Sequence, residues 1–254
     1  MDCSSNLLEK VNAAIAAMEY PAKPVGLYEP IRYVLSMGGK RIRPVFLLLT
    51  YGMFRKDLDR VMNAALGLET YHNYTLLHDD LMDRADMRRG MPTVHKKWNN
   101  NTAILSGDSM LVLAGRLILS VDSEVSRDIM ELFIKTALEI GEGQQYDMNF
   151  ESRTNVTEEE YIEMIRLKTS VLVACAVKMG AMLGSATAAD AEALYDFGEK
   201  VGLPPAEFLR LLNTALFKSP LLDASGGLMV RHTFLPADLS LDQAIQGTRS
   251  ALRA

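Results

Sequence analysis

Helical periodicity is the feature of this 254-residue chain that most restricts the folds it can adopt. Apolar residues recur every three to four positions through most of the sequence, which is the spacing of one buried face of an α-helix. Strand signals are weak, because alternating β-branched runs are few and no Asn-Gly or Asp-Gly pair separates two apolar segments. The sequence therefore predicts an all-α fold, with helices at about 5–20, 30–37, 44–54, 58–83, 107–121, 124–150, 157–184 and 188–201.

Residues at the ends of these segments support the helical assignment. Thr157 with Glu160 three residues later is typical of a capping box at a helix N-terminus. Pro30 and Pro44 suit the first turn of a helix, and Gly184 is typical of a position just after a helix end.

Composition and charge exclude several classes of protein. A net charge of −5 argues against a nucleic-acid binder driven by electrostatic attraction. Cys3 and Cys175 are the only cysteines, too few for a disulfide framework, so a cytoplasmic location is expected. The N-terminus lacks a secretory pattern, and no apolar run suggests a transmembrane segment.

An acidic run, HDDLMD at 78–83, closes the predicted fourth helix. Asp79 and Asp83 are four residues apart and are therefore neighbours on one helix face. Their mutual repulsion, at the negative end of the helix dipole, favours a bound cation. Oxygen ligands without accompanying cysteines suit Mg²⁺ better than Zn²⁺. Taken alone, the run is equally consistent with a solvated acidic helix end.

Basic residues surround this acidic run in the sequence. The segment GGKRIRP at 38–44 is a glycine-rich basic loop leading into a helix N-terminus, an arrangement that suits phosphate. Arg88 and Arg89 lie in a polar turn, His72 lies two turns before Asp79, and Lys168 interrupts an apolar helix. Each residue alone could be a surface cation, a helix cap or a snorkelling lysine. Together, in an acidic protein, they predict two phosphate sites around a metal ion.

The order and approximate spacing of several motifs resemble those of a known family. The motifs are GGKRIRP at 38–44, His72, HDDLMD at 78–83, RRG at 88–90, SGD at 106–108, GQ at 143–144 with Asp147, KT at 168–169 and FG at 197–198. Over residues 1 to about 203 the chain resembles the trans-isoprenyl diphosphate synthases, the polyprenyl synthetase family. The resemblance implies a bundle of antiparallel helices around a central cavity (isoprenoid synthase-like), usually as a homodimer.

The resemblance also implies a reaction, the head-to-tail condensation of an allylic diphosphate with isopentenyl diphosphate in the presence of Mg²⁺. It places Mg²⁺ on Asp79 and Asp83, with Asp80 in support. The other implied roles are the allylic diphosphate for Arg88 and Lys168, isopentenyl diphosphate for Lys40, Arg43, His72 and Arg89, and the developing allylic cation for Thr169 and Gln144.

In this family, product length is set by side-chain bulk just before the first aspartate-rich motif. Tyr74 lies five residues before Asp79 and Thr75 lies four before it, with no insertion inside the motif. The arrangement resembles that of a short-chain enzyme stopping at farnesyl or geranylgeranyl length, C15 to C20. Packing of Tyr74 in the core is the alternative.

The resemblance ends near Leu203. The family's second aspartate-rich motif is expected there, but the sequence continues PPAEF. Asp238 and Asp242 have the four-residue spacing of a substitute, but they lie far downstream and lack the expected neighbours. Residues 204–254 are predicted to form a separate helical tail that weakly resembles the C-terminal region of β-hydroxyacid dehydrogenases. No Gly-x-Gly-x-x-Gly loop supports a dehydrogenase. We expect impaired turnover, because part of the charge that stabilises the leaving diphosphate is missing.

Two alternatives to an active prenyltransferase follow from the same residues. The chain could be a non-catalytic partner or regulatory subunit on the same scaffold, which keeps the dimer surface without the complete site. A terpene cyclase shares the acidic motif but has no second diphosphate for Lys40, Arg43 and His72 to bind.

Overall fold

The computed structural model describes residues 3–203, with side chains from residue 6 onward. Nearly all of this range is helical, which confirms the predicted fold class. The elements in chain order are α1 (Cys3–Ala16), α2 (Val25–Ser36), α3 (Ile42–Phe54), a 3₁₀ turn (Leu58–Val61), α4 (Met62–Met82), β1 (Met87–Arg88), β2 (Met91–Pro92), α5 (Val94–Lys97), α6 (Asn100–Leu119), α7 (Ser126–Phe150), α8 (Glu158–Ile165), a π-helical turn (Arg166–Ser170), α9 (Val171–Leu183) and α10 (Ala188–Gly202).

The chain divides into two compact units. Among the described residues, the first contains 3–131 and 179–187, and the second contains 132–178 and 188–203. The tail predicted at 204–254, including Asp238 and Asp242, lies outside the described residues, so the proposed domain boundary at 203 stays a prediction.

Helix α4 is the centre of the first unit and packs along α6. A Cβ atom on Gly67 would lie 2.7 Å from Ile118 and 2.9 Å from the carbonyl oxygen of Ala114, so only glycine allows this approach of the two backbones. Gly107 on α6 likewise leaves room for the ring of His78. The close packing fixes α4 along most of its length and so fixes the direction in which its acidic end points.

Two predicted helix starts are wrong, and local capping explains one of them. Helix α6 begins at Asn100 because the side chain of Asn99 accepts a hydrogen bond from the Thr102 amide at 2.9 Å. Helix α2 begins at Val25, so Pro30 lies inside it rather than in its first turn. Pro44 does lie in the first turn of α3, as predicted.

The predicted capping box is confirmed at the start of α8. Thr157 Oγ1 accepts from the Glu160 amide at 3.2 Å, and Glu160 Oε2 accepts from the Thr157 amide at 3.0 Å. The long helix predicted at 157–184 is nevertheless divided by the π-helical turn into α8 and α9.

A short antiparallel hairpin follows α4, which the sequence predicted only as a polar turn. Arg88 pairs with Met91, and Arg89 and Gly90 form the turn with φ values of 52° and 76°. Left-handed values at both central positions are typical of tight hairpin turns. Because of this turn, Arg88 and Arg89 project from a rigid ladder close to the end of α4.

Helix α6 is long and apolar enough, by length and composition, to cross a membrane, which the sequence analysis did not expect of any segment. It is the only such helix within residues 3–203, and 33% of its apolar window is buried inside the protein. One face of this helix packs against α4, and a single helix that passes this test of length and hydropathy also occurs in proteins that do not span a membrane.

Candidate functional site

The three aspartates of the acidic run lie at the C-terminal end of α4. The amide of Asp83 donates to the carbonyl of Asp79 at 2.9 Å, so these two residues occupy adjacent turns of one face, as predicted. The side chain of Asp79 is 17% exposed, Asp80 is buried and Asp83 is exposed. The solvent exposure of the three carboxylates at this end of the helix therefore increases from Asp80 through Asp79 to Asp83.

Arg88 lies against this acidic set. Its Nε donates to Asp80 Oδ2 at 2.7 Å, and its Nη2 lies 3.7 Å from Asp79 Oδ2. Burial raises the pKa of Asp80, while the hydrogen bond and the charge of Arg88 act in the opposite direction. The guanidinium thus neutralises most of the acidic charge that faces the interior.

The donor chemistry at this end fits Mg²⁺ only in part. Within residues 3–203, no group of three or more His, Cys, Asp or Glu side chains is arranged to hold a metal ion. Mg²⁺ commonly takes one or two carboxylates from protein and completes its shell with water and phosphate oxygens. Asp79 and Asp83 therefore fit a magnesium ion shared with a diphosphate, whereas Asp80 is engaged by Arg88.

Next to the acidic end lies a contact between His72 and Arg43. Arg43 Nη1 lies 3.2 Å from His72 Nε2. A guanidinium can only donate, so Nε2 must be the acceptor and the imidazole must be neutral. Burial is the main cause that holds the pKa of His72 well below its usual value, and the nearby arginines Arg43, Arg89, Arg88 and Arg41 act in the same direction.

The positive charge around His72 is not fully balanced by carboxylates. Neither Arg43 nor Arg89 forms an ion pair in the described part of the chain, and Arg43 Nε is buried without a hydrogen-bond partner. Burial lowers the pKa of Arg43 to about 10. The buried part of the Arg43 guanidinium is costly without an acidic partner, and an anion of matching geometry relieves that cost.

The basic loop before α3 is held in place by Arg89. The guanidinium of Arg89 donates to the carbonyl of Gly38, and a Cβ atom on Gly39 would lie 2.9 Å from its atoms. Gly38 and Gly39 have φ values of 76° and 139°, which favour glycine. Lys40 follows at the surface. The structure therefore brings Lys40, Arg43, His72, Arg88 and Arg89 into one region of the first unit, together with the aspartates.

Arg41, in the same loop, has a structural role that the sequence analysis missed. It is 4% exposed and donates to Glu69 Oε1 at 2.6 Å and to the Leu35 carbonyl at 2.6 Å. Asn73 Nδ2 also donates to Glu69 Oε1, at 2.9 Å. The available signal was Glu69 itself, a lone acid among the apolar residues of α4, which requires a buried cation nearby.

The two residues assigned to chain length lie on α4, before the acidic end. The ring of Tyr74 packs against those of Tyr71 and His78, with centroids 5.5 and 4.8 Å away, and Tyr74 is only partly buried. The hydroxyl of Thr75 donates to the His72 carbonyl at 2.8 Å. Both side chains thus occupy defined positions in the first unit.

The residues assigned to catalysis lie in the second unit, on and around the π-helical turn. Lys168 Nζ lies 2.5 Å from Asp147 Oδ2, and both side chains are mostly buried. The turn packs directly on α7, because a Cβ atom on Gly143 would overlap the backbone of Lys168. Gln144 follows Gly143 in the chain and Thr169 follows Lys168, and both side chains are partly buried. Single π-helical turns are frequent at functional sites.

Known proteins match most of the length of this chain. The family model for polyprenyl synthetase matches residues 24–204. A geranylgeranyl diphosphate synthase from Methanosarcina mazei is 45% identical over 205 residues, which make up 80% of this chain and 63% of that protein. The chain belongs to the polyprenyl synthetase family. A geranylfarnesyl diphosphate synthase from Natronomonas pharaonis is 38% identical and matches 76% of this chain and 62% of its own length.

The fold of this polyprenyl synthetase family member is that of the isoprenoid synthases. The structure of a geranylgeranyl pyrophosphate synthetase from the archaeon Geoglobus acetivorans superposes with a TM-score of 0.79 at 32% identity, covering 99% of this chain and 86% of that one. The chain spans less than two thirds of the length of the two curated relatives named above.

Proposed function

We propose that this chain catalyses the condensation of an allylic diphosphate with isopentenyl diphosphate. The observation that carries the proposal is the unbalanced positive charge around His72, beside the acidic end of α4. Four arginines act on His72, and only Arg41 and Arg88 have carboxylate partners. A site with separate cationic and acidic halves suits two diphosphates and a magnesium ion better than it suits one small anion.

The roles proposed in the first unit are those that the family motifs imply, and the charges and contacts around the acidic end of α4 support them. Asp79 and Asp83, with Asp80 in support, would hold Mg²⁺, which supplies positive charge to the leaving diphosphate when it is bound. Arg88 is proposed to bind the same allylic diphosphate. The remaining cationic and polar groups are proposed to bind isopentenyl diphosphate: Lys40, Arg43, His72 and Arg89. His72 is neutral and receives a hydrogen bond from Arg43, so it orients that guanidinium rather than adding charge.

The roles in the second unit rest on the family motif. Lys168 is proposed to contact the allylic diphosphate, and its pairing with Asp147 holds it until an anion is bound. Thr169 and Gln144 are proposed to face the developing allylic cation with neutral oxygen atoms. A carbocation needs stabilising dipoles that do not react with it, which hydroxyl and amide groups supply better than a carboxylate does.

Product length is proposed to be short. Two curated relatives bear the names geranylgeranyl and geranylfarnesyl diphosphate synthase. The length expected from Tyr74 and Thr75 was C15 to C20, so geranylgeranyl, C20, satisfies both indications. Tyr74→Ala should shift the products towards longer chains if this ring limits growth.

The chain is proposed to act as a cytoplasmic homodimer. On α6, Leu105, Val112 and Leu119 are 60%, 71% and 56% exposed, and their seven-residue spacing places them on one face. A contiguous apolar face of this kind is typical of an interface. Light scattering on the purified chain should give twice the monomer mass, and Val112→Glu should lower that mass.

Turnover is proposed to be slow, because no second aspartate-rich motif is found in the sequence. The decisive experiment supplies labelled isopentenyl diphosphate, an allylic diphosphate and Mg²⁺, and measures labelled prenyl product. We expect measurable product with the wild type and none with Asp79→Asn. Arg127→Gln, a surface change on α7, serves as the matched control and should leave the rate unchanged.

The second candidate, a non-catalytic partner on the same scaffold, makes the opposite prediction. It requires no product from the wild type, together with full binding of pyrophosphate and Mg²⁺ by the folded chain. If the folded chain neither forms product nor binds pyrophosphate, both assignments of this site are wrong.

A further inference from the structure

The hairpin that carries Arg88 is closed by a buried threonine. Thr93 is fully buried, its amide donates to the Asp86 carbonyl at 3.1 Å, and its hydroxyl donates to the Ala85 carbonyl at 2.7 Å. Thr93 is also the N-cap residue of α5, but its hydroxyl makes no capping hydrogen bond there. A threonine at this position normally caps the helix. Here the hydroxyl joins the two ends of the hairpin instead.

His95 contacts the same hydroxyl. Its Nδ1 lies 3.2 Å from Thr93 Oγ1. The hydroxyl has one hydrogen, and the shorter contact, to the Ala85 carbonyl, uses it because a carbonyl can only accept. The remaining lone pairs of Oγ1 must therefore accept from His95. This requires the proton of the neutral imidazole to be on Nδ1.

The other ring nitrogen supports this arrangement. His95 Nε2 is buried and has no hydrogen-bond partner. Burial is the main cause that lowers the pKa of His95, with Lys96 acting in the same direction and Asp80 and Asp86 opposing it. In this tautomer Nε2 is an acceptor, and the Asp80 carboxylate also only accepts, so Nε2 and Asp80 cannot hydrogen-bond to each other. Apart from the direct electrostatic interaction between the two groups, the connection from His95 to Asp80 is through Thr93.

That path is continuous. His95 donates to Thr93, Thr93 donates to Ala85, and the Ala85 amide donates to the Asp80 carbonyl at 2.9 Å. The Asp80 side chain in turn accepts from Arg88. The chain of hydrogen bonds therefore begins at His95 in α5, passes through the acidic end of α4 and ends at Arg88 in the hairpin.

We propose that His95 is a positioning residue: its Nδ1–H holds the Thr93 hydroxyl on the Ala85 carbonyl and so keeps Arg88 in place against Asp80. The value of this placement for binding a diphosphate rests on the proposed function. The hydrogen-bond arrangement itself does not, and can be measured without any ligand.

The first measurement is the tautomer of His95, read from two-bond proton–nitrogen correlations in the NMR spectrum of the ligand-free chain. We expect the proton on Nδ1. A proton on Nε2 would mean that Thr93 donates to His95 rather than to Ala85, and would overturn the proposal whatever the chain binds.

The second measurement compares two substitutions of His95, each of which keeps a hydrogen-bonding group near only one of the two ring nitrogens. His95→Asn places an amide N–H near the position of Nδ1, and His95→Gln places its amide near Nε2. Titration with inorganic pyrophosphate and Mg²⁺ should give an affinity within about twofold of the wild type for His95→Asn and a loss of about fivefold for His95→Gln, the effect of one hydrogen bond. Equal losses in the two variants would indicate packing alone and contradict the proposal.

Amide hydrogen exchange at Ala85 provides a readout that does not depend on binding. Protection should be kept in His95→Asn and Thr93→Ser, which retain the donor and the hydroxyl, and reduced in His95→Gln and Thr93→Val. Unchanged protection in Thr93→Val would overturn the proposal. Should the wild type fail to bind pyrophosphate, the proposed function is contradicted, and the tautomer and exchange data still decide the role of His95.

Discussion

Removal of the Glu69 carboxylate should be among the most destabilising changes in the first unit. The side chains of Arg41 and Glu69 are each 2% exposed, and Glu69 Oε1 accepts from both Arg41 and Asn73. In Glu69→Ala, the guanidinium stays buried and keeps its hydrogen bonds only to Leu35 and Asn12. Breaking one side of a buried pair costs about 3–5 kcal/mol in free energy of unfolding.

The double variant Arg41→Met/Glu69→Leu tests whether the stranded charge causes this loss. Replacing a buried ion pair by apolar groups of similar volume is often neutral, so the double variant should be more stable than Glu69→Ala by about 2 kcal/mol or more. Urea unfolding followed by circular dichroism gives both free energies, provided that the denaturant slopes agree. A loss below about 1 kcal/mol for Glu69→Ala, or equal losses for the two variants, would refute the argument from buried charge.

Three other predictions follow from positions described above. Because the pKa of His72 is depressed in the folded state, the unfolded chain binds more protons below pH 6.5, so stability falls as the pH falls. Between pH 7 and 5 the wild type should lose more stability than His72→Gln, and parallel profiles would contradict this. Gly67→Ala should destabilise the chain by about 1–3 kcal/mol, because its Cβ would meet Ile118. Gly141→Ala, which meets nothing within 4 Å on α7, is the matched change and should be neutral or stabilising by up to about 1 kcal/mol in the same unfolding assay.

The sequence predicted the fold class and the shared helix face of Asp79 and Asp83 because both depend on short-range spacing. Asp79 and Asp83 are neighbours wherever a helix spans them. Thr157 and Glu160 form a capping box for the same local reason. Such features need no knowledge of which helices meet.

Features that depend on distant partners could not be predicted. Arg41 and Glu69 are 28 residues apart, and nothing local distinguishes Arg41 from Lys40 or Arg43. Similarly, the π-helical turn at Lys168 packs against Gly143 on another helix, 25 positions earlier in the chain. The assignments of the individual site residues stay predictions until the binding and product assays are done.

The ion pair between Arg88 and Asp80 has a consequence for the order in which charged ligands bind. An anion that draws Arg88 away leaves the buried Asp80 carboxylate without its counter-ion, and a cation that takes Asp80 releases a guanidinium for an anion. Each ligand therefore removes the electrostatic penalty that the other would meet alone. Because such coupling is reciprocal, magnesium should tighten pyrophosphate binding by the same factor by which pyrophosphate tightens magnesium binding.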